Sequence, residues 1–284
     1  MSAVQPIIEC HGLVHIYKTA DVEAVALQGL DLEINDGEMV AIVGASGSGK
    51  TTLMNVLAAV DRPSAGQAVV AGWHLLELSE GERDRYRREA VGYVWQQASL
   101  NFIPELSVEQ NLQLPMIASI QSRSARHERA GELMRDFALE PRRHHLPAAL
   151  SGGEQRLLAM SMALANRPKV LLADEPTAGI DRAMGNNVLT RLRETRDREG
   201  TTIVFVTHER RAEDYVDRVL RIRDGRTSSE TSVDLGERVI VDRTGRLQLP
   251  RQLIDEVGLR GLARVRRMGD GILIVPAHDG KGDE

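Results

Sequence analysis

The 284-residue chain sets 36 Lys and Arg against 41 Asp and Glu, a formal charge of −5. That balance excludes a whole-surface electrostatic match to nucleic acid or an anionic membrane, so any such contact must be local. Cys10 is the single cysteine, which excludes an internal disulfide and a cysteine-built metal site, suits a reducing compartment, and reads most simply as a small buried hydrophobe.

The length is enough for one large or two unequal domains with a full core. Residues 1–10 show no basic start followed by an apolar core, and no apolar run is long enough to span a bilayer. An intracellular, soluble protein is therefore expected, with docking on a membrane protein left open.

In chain order, Ile7–Val14 and Val25–Ile34 read as strands, the second alternating with period two. Tyr17 lies between them, open to two readings: a core filler, or a ring that stacks on a base. The apolar run Met39–Val43 then leads into Gly44-Ala45-Ser46-Gly47-Ser48-Gly49-Lys50-Thr51-Thr52 and a helix-like Leu53–Ala59. This matches the phosphate-loop pattern G-x-x-x-x-G-K-[ST] without a mismatch. Glycines let successive N–H groups approach phosphate oxygens at the helix start, Lys50 adds a cation, and Thr51 adds a hydroxyl for Mg²⁺.

Asp61–Gly66 reads as a turn, Gln67–Gly72 as a short strand, and Val91–Trp95 as a strand ending at Gln96 and Gln97. An amide there can coordinate Mg²⁺ or orient water, or simply be solvated, and position alone does not choose. Residues 106–165 read as helical, with one apolar face at Ala130, Leu133, Met134, Phe137 and Ala138 and another at Leu157, Leu158, Met160, Ala163 and Leu164. At the start of that last helix, Ser151 can cap while Gly152 and Gly153 leave N–H groups bare, a second anion site. Val170–Asp174 is a buried strand ending in Asp174 and Glu175, where one carboxylate can hold a metal ion's water and the other can polarise an attacking one. A helix over 182–198 and a strand over 202–206 follow, with His208 at the strand's C-terminal edge. A lone histidine is usually structural, but polar groups ending adjacent parallel strands describe the ligand crevice of an α/β sheet.

These blocks, in this order, resemble the nucleotide-binding subunit of an ABC transporter over residues 7–225, closest to the lipoprotein-releasing and macrolide-exporting subfamily. The aromatic A-loop falls at Tyr17, Walker A at 44–52, the Q-loop at Gln96 (with Gln97 as rival), the signature at 150–155, Walker B at 170–175, the D-loop at Asp181 and the switch histidine at His208. The signature is the most specific, because Walker A alone is shared by many NTPases. The resemblance implies a P-loop NTPase of α/β class, with a RecA-like core, an antiparallel β subdomain and a helical subdomain at about 104–165. It further implies that Tyr17 stacks on adenine, that Lys50 and the loop amides of Gly44, Ser46, Gly47, Ser48, Gly49, Thr51 and Thr52 hold phosphates, and that Thr51, Gln96 and Asp174 serve Mg²⁺. Glu175 becomes the general base or water-polarising group and His208 a contact to the γ-phosphate. Ser151, Gly152, Gly153, Gln155 and Asp181 would act on the ATP of a partner subunit in a head-to-tail homodimer. Hydrolysis would drive a permease in export, lipoprotein release or mechanotransmission, with the chain peripheral on the inner face of the cell membrane.

Beyond residue 226 the texture changes. Residues 227–236 read as a linker, 237–276 as a small β-rich module and 277–284 as a tail. The module's order of strand, turn, strand at 239–250, short helix at 251–257 and hairpin across 263–275 resembles the swapped-hairpin domain of transition-state regulators and antitoxins. Residues 237–276 hold eight Arg and five acidic residues, so a dimerising clasp is expected before DNA binding. A soluble ABC ATPase and a nucleotide-sensing DNA-binding regulator are the other two classes in view, and nucleic acid is not the expected partner.

Overall fold

A computed structural model describes residues 6–18, 23–120, 122–232, 236–241, 245–249, 251–259, 261, 263–269 and 271–276. In chain order the ATPase-like part holds β1 (Pro6–Lys18), β2 (Glu23–Asn35), β3 (Met39–Val43), α1 (Lys50–Leu57), β4 (Ala65–Val70), β5 (Trp73–His74), α2 (Glu80–Glu89) and β6 (Val91–Val94). It continues with α3 (Val108–Gln113), α4 (Arg123–Asp136), α5 (Gly152–Ala163), β7 (Val170–Asp174), α6 (Arg182–Glu199), β8 (Thr202–Val206) and β9 (Arg218–Arg223). The remainder is β10 (Arg226–Ser232), β11 (Gly236–Val239), α7 (Arg251–Glu256), β12 (Ala263–Met268) and β13 (Gly271–Pro276).

One sheet has the order β2-β1-β4-β5 and is antiparallel throughout. A second has the order β11-β10-β9-β3-β8-β7-β6, with parallel pairing from β9 to β6 and antiparallel pairing where β10 and β11 join its edge. Because successive strand residues point to opposite faces, β3 divides its side chains between two cores. Met39, Ala41 and Val43 pack with Phe137, Met160, Leu189 and Phe205 on the helical side, whereas Val40 and Ile42 pack with Ile8, Leu30, Leu53 and Met54 beneath the antiparallel sheet. β3, β7 and β8 are buried along their whole length, as central parallel strands covered on both faces must be.

The structure refines several expectations. The helical stretch at 106–165 divides into α3, α4 and α5, joined by short 3-10 turns at 114–116, 140–142 and 147–149, each of which contains a proline. α2 was not foreseen, although Ser79 and Glu82 form a capping box at its start. The expected linker is corrected: residues 226–232 form β10, antiparallel to β9, and β11 follows at Gly236–Val239. Its Ser and Thr side chains look like linker composition, but Ser228 and Ser229 are buried, Ser228 Oγ donates to the Arg221 carbonyl, and Glu230 pairs with Arg218. In the C-terminal part α7 forms and β12 pairs with β13 as a hairpin, while the expectations at 233–235, 242–244, 250, 260, 262, 270 and 277–284 lie outside the described residues.

Candidate nucleotide site

The loop after β3 curls around a cavity of about 490 Å³ lined by Gly44, Ser46, Gly47, Gly49, Lys50, Thr51, Thr52, Gln96, Asp174, Glu175 and His208. These come from the C-terminal ends of β3, β6, β7 and β8 and from the first turn of α1, the position at which an α/β sheet opens a ligand crevice. Two glycines in the loop are demanded by close approach. A Cβ at Gly44 would lie 2.3 Å from the Ile222 carbonyl oxygen of β9, and one at Gly49, whose φ is +99°, would lie 2.5 Å from the Ala26 carbonyl oxygen. Lys50 Nζ donates to the carbonyls of Gly44 and Ala45 at 2.9 and 2.8 Å, so its ammonium is held at the mouth of the loop. Ser48 is buried, with its Oγ unpartnered.

Asp174 ends β7 beneath the loop and is buried, with Thr51 as a side-chain hydrogen-bond partner. Burial pushes its carboxyl above the ordinary carboxylate value, with the Glu175 charge adding to the rise and Thr51 and Lys50 opposing it. Thr51, Gln96 and Asp174 thus offer a hydroxyl, an amide oxygen and a carboxylate in one cavity, a hard oxygen donor set that fits Mg²⁺ bound together with phosphates and water.

Glu175 follows with φ +53°, in the left-handed region that non-glycine residues rarely occupy. Its N–H donates to the Val206 carbonyl, and its carbonyl accepts from Ala178 N–H at 3.1 Å, closing a turn. The strained backbone aims the carboxylate at His208, whose Nδ1 lies 2.7 and 2.9 Å from the two carboxylate oxygens. That hydrogen bond and the Glu175 charge hold the His208 imidazole above its ordinary 6.5.

Gln96 lines the cavity and Gln97 does not. The loop after it is folded back by Asn101, whose Oδ1 accepts from Trp95 N–H at 2.9 Å, with a 3-10 turn at Ala98–Leu100 between them. Tyr17 is 41% exposed, which excludes the core-filler reading. Its hydroxyl donates to Asp61 at 2.8 Å, Asn55 of α1 also donates to Asp61, and the His15 ring meets its edge at 4.5 Å.

The signature and D-loop residues stand apart from the cavity. Ser151 and Glu154 form a capping box at the start of α5, Gln155 donates to the Pro147 carbonyl, and Asp181 caps α6 at Met184 N–H. Gly152 is open to solvent, while a Cβ at Gly153 would press on Met184. None of these residues lines the cavity. Sequence reasoning passed over Arg156, Asn55, Asp61 and Glu209. For Arg156 there was a signal: a cation immediately before the apolar pair Leu157 and Leu158.

The ABC transporter family model matches residues 27–178, more than half of the chain. The chain is 41% identical over 220 residues to the macrolide export ATP-binding/permease protein MacB of Azoarcus sp. strain BH72, covering 78% of this chain and 33% of that protein. It is 37% identical over 245 residues to MacB of Escherichia coli, covering 86% of this chain and 38% of that one. It therefore spans about a third of the length of these relatives. Among solved structures, the ATP-binding cassette MJ0796 in a dimeric post-hydrolysis state with ADP and Pi superposes with a TM-score of 0.74 at 33% identity, covering 80% of this chain and 98% of that one. CbiO1 of Clostridium perfringens, part of the ABC transporter complex cbiONQ, gives 0.72 at 26% identity, covering 80% and 88%. The family match spans every lining residue named above except His208, and the chain belongs to the ABC transporter family as an ATP-binding domain.

Proposed function

We propose that the chain binds Mg-ATP in this cavity and hydrolyses it as one of two head-to-tail subunits. The observation that carries this reading is the division of the site. The cavity holds the phosphate loop, Asp174, Glu175 and His208, whereas the capped and glycine-opened N-terminus of α5 lies outside it. One chain offers two half-sites, and two-fold pairing would set Ser151–Gln155 of each subunit over the other's nucleotide. In that arrangement Tyr17 stacks on adenine, Lys50 and the loop amides hold the phosphates, and Thr51, Gln96 and Asp174 hold Mg²⁺. The metal, when bound, neutralises charge on the phosphate oxygens. Glu175 orients and deprotonates the attacking water, and His208 holds that carboxylate and faces the γ-phosphate. The MJ0796 cassette, dimeric with ADP and Pi, supports the pairing by likeness. The test is Glu175→Gln, sized with and without Mg-ATP: a shift toward dimer on adding Mg-ATP is expected, and an association that does not respond to Mg-ATP sinks the proposal.

The coupled partner is proposed to be a membrane permease. No helix among the described residues is long and apolar enough to cross a membrane, so the permease would be a separate segment or chain. Leu100, Ile103 and Ile117 are exposed around the Gln96 loop and α3, beside a cleft of about 200 Å³ lined by Tyr93, Asn101, Pro115 and Met162. An apolar rim here suits a helix delivered by the permease. At the C-terminal end, Val265, Met268, Ile272 and Leu273 are exposed on the hairpin β12–β13, which favours the self-associating clasp. Deleting residues 233–284 should weaken self-association in the absence of ATP, and an unchanged association dismisses the clasp.

A further inference from the structure

Arg156 is buried on α5, 9% exposed, and its guanidinium spans two loops of the site. Nη1 donates to the Gln96 carbonyl at 2.5 Å and Nη2 to the Ala178 carbonyl at 3.2 Å. Among the described residues no carboxylate pairs with it directly, so a cation removed from water is held here by two backbone carbonyls and the nearby Glu175 charge. Burying a guanidinium is costly, and carbonyls alone are weak compensation. A purely structural tie between α5 and these loops needs no charge.

The loop that it grips on the second side is the turn that carries Glu175. Ala178 N–H closes that turn on the Glu175 carbonyl, and Thr177, buried next to it, donates its hydroxyl to Glu209 at 3.1 Å, one residue from His208. A continuous set of contacts therefore runs from the Gln96 backbone through Arg156 to the turn of Glu175 and on to the His208 segment. We infer that Arg156 is a positioning residue that sets the Glu175 carboxylate according to the position of the Gln96 loop. A displacement of that loop, by a partner seated beside it or by Mg²⁺ drawing on Gln96, is handed to the left-handed turn at Glu175. The turn is strained and small shifts there are amplified. The same helix begins at Ser151, so closure over the signature end moves the guanidinium along with it.

This inference rests on the proposed ATP hydrolysis, and the experiment keeps the two apart. In the full chain, steady-state ATP turnover is measured for the parent, Arg156→Met and Arg156→Lys. Trp95 emission on adding Mg-ATP is followed in a Trp73→Phe background, which leaves Trp95, next to Gln96, as the sole tryptophan. Arg156→Met is expected to lower kcat at least about tenfold with the KM for ATP within about twofold, and to lose the Trp95 response while still binding nucleotide. Arg156→Lys, which reaches one carbonyl at a time, should fall between. Unchanged kcat and Trp95 response in Arg156→Met overturns the inference. So does a loss of kcat, ATP affinity and melting temperature in parallel in both variants, which marks a role in folding alone. A parent that does not turn over ATP defeats the proposed hydrolysis instead, and the Trp95 comparison then still decides the coupling.

Discussion

His208 Nδ1 lies 2.7 Å from the Glu175 carboxylate, joining the end of β8 to the end of β7 across the mouth of the cavity. The pair holds His208 above 6.5, so the cationic, paired form is complete at acid pH and is lost as pH rises through that elevated value. Turnover is accordingly expected to carry an alkaline limb that belongs to His208. His208→Gln should remove that limb and lower kcat about 10²-fold, measured as a pH profile of kcat with each variant. A limb unchanged in His208→Gln assigns it to another group.

Tyr17 presents its ring to solvent while its hydroxyl is fixed by Asp61. Base stacking on an aromatic ring is worth about 1–3 kcal/mol, so Tyr17→Ala should raise the dissociation constant for ATP by roughly 5- to 150-fold. Tyr17→Phe keeps the ring and should stay within about threefold, because only the hydrogen bond to Asp61 is lost. Titration calorimetry with ATP checks both.

Gly44→Ala would push a methyl to 2.3 Å from the Ile222 carbonyl oxygen, a backbone atom that cannot swing aside. Overpacking of this kind costs about 1–3 kcal/mol, and the strain falls on the phosphate loop itself. Urea unfolding should show the loss of stability and ATP binding should weaken alongside it. A fully stable, ATP-binding Gly44→Ala would mean that β9 yields.

Arg129, 5% exposed on α4, binds Glu199 at the end of α6 with both terminal nitrogens and also donates to the carbonyls of Leu164 and Ala165. Arg129→Ala leaves Glu199 and two carbonyls without this donor and should cost about 3–5 kcal/mol. Replacing Arg129 and Glu199 together should recover part of that. A double-mutant cycle in urea measures the coupling.

The parallel strands and the phosphate loop were legible because their signals are local: Met39–Val43 is apolar without a break, and the loop's glycines stand at fixed offsets. α2 was not, since its mean composition is charged and only Tyr86 is buried, which leaves no apolar stripe to read; the Ser79–Glu82 box was the one available sign. β10 is hard to read because Ser and Thr carry the same letters in a linker and in a strand near a sheet edge, and only its pairing with β9 and β11 separates the two. The choice of Gln96 over Gln97 as a lining residue depends on how Asn101 folds the following turn, which no spacing rule encodes. Arg156 joins residues 96 and 178, and such a contact becomes visible only when the chain is folded.

The pairing of β10 with β9 also makes the C-terminal segment a mechanical lever. β9 supplies the Ile222 carbonyl that backs Gly44, and in the bend that leads into β10 the Gly225 N–H donates to the Ser48 carbonyl of the phosphate loop. A pull on residues beyond 239 therefore loads the outermost pair, β11–β10, and through it β10–β9, whose connecting bend lies one hydrogen bond from the loop. Tension at the far end of the chain would reach the phosphate loop sideways through the sheet, by a path separate from the Gln96 loop.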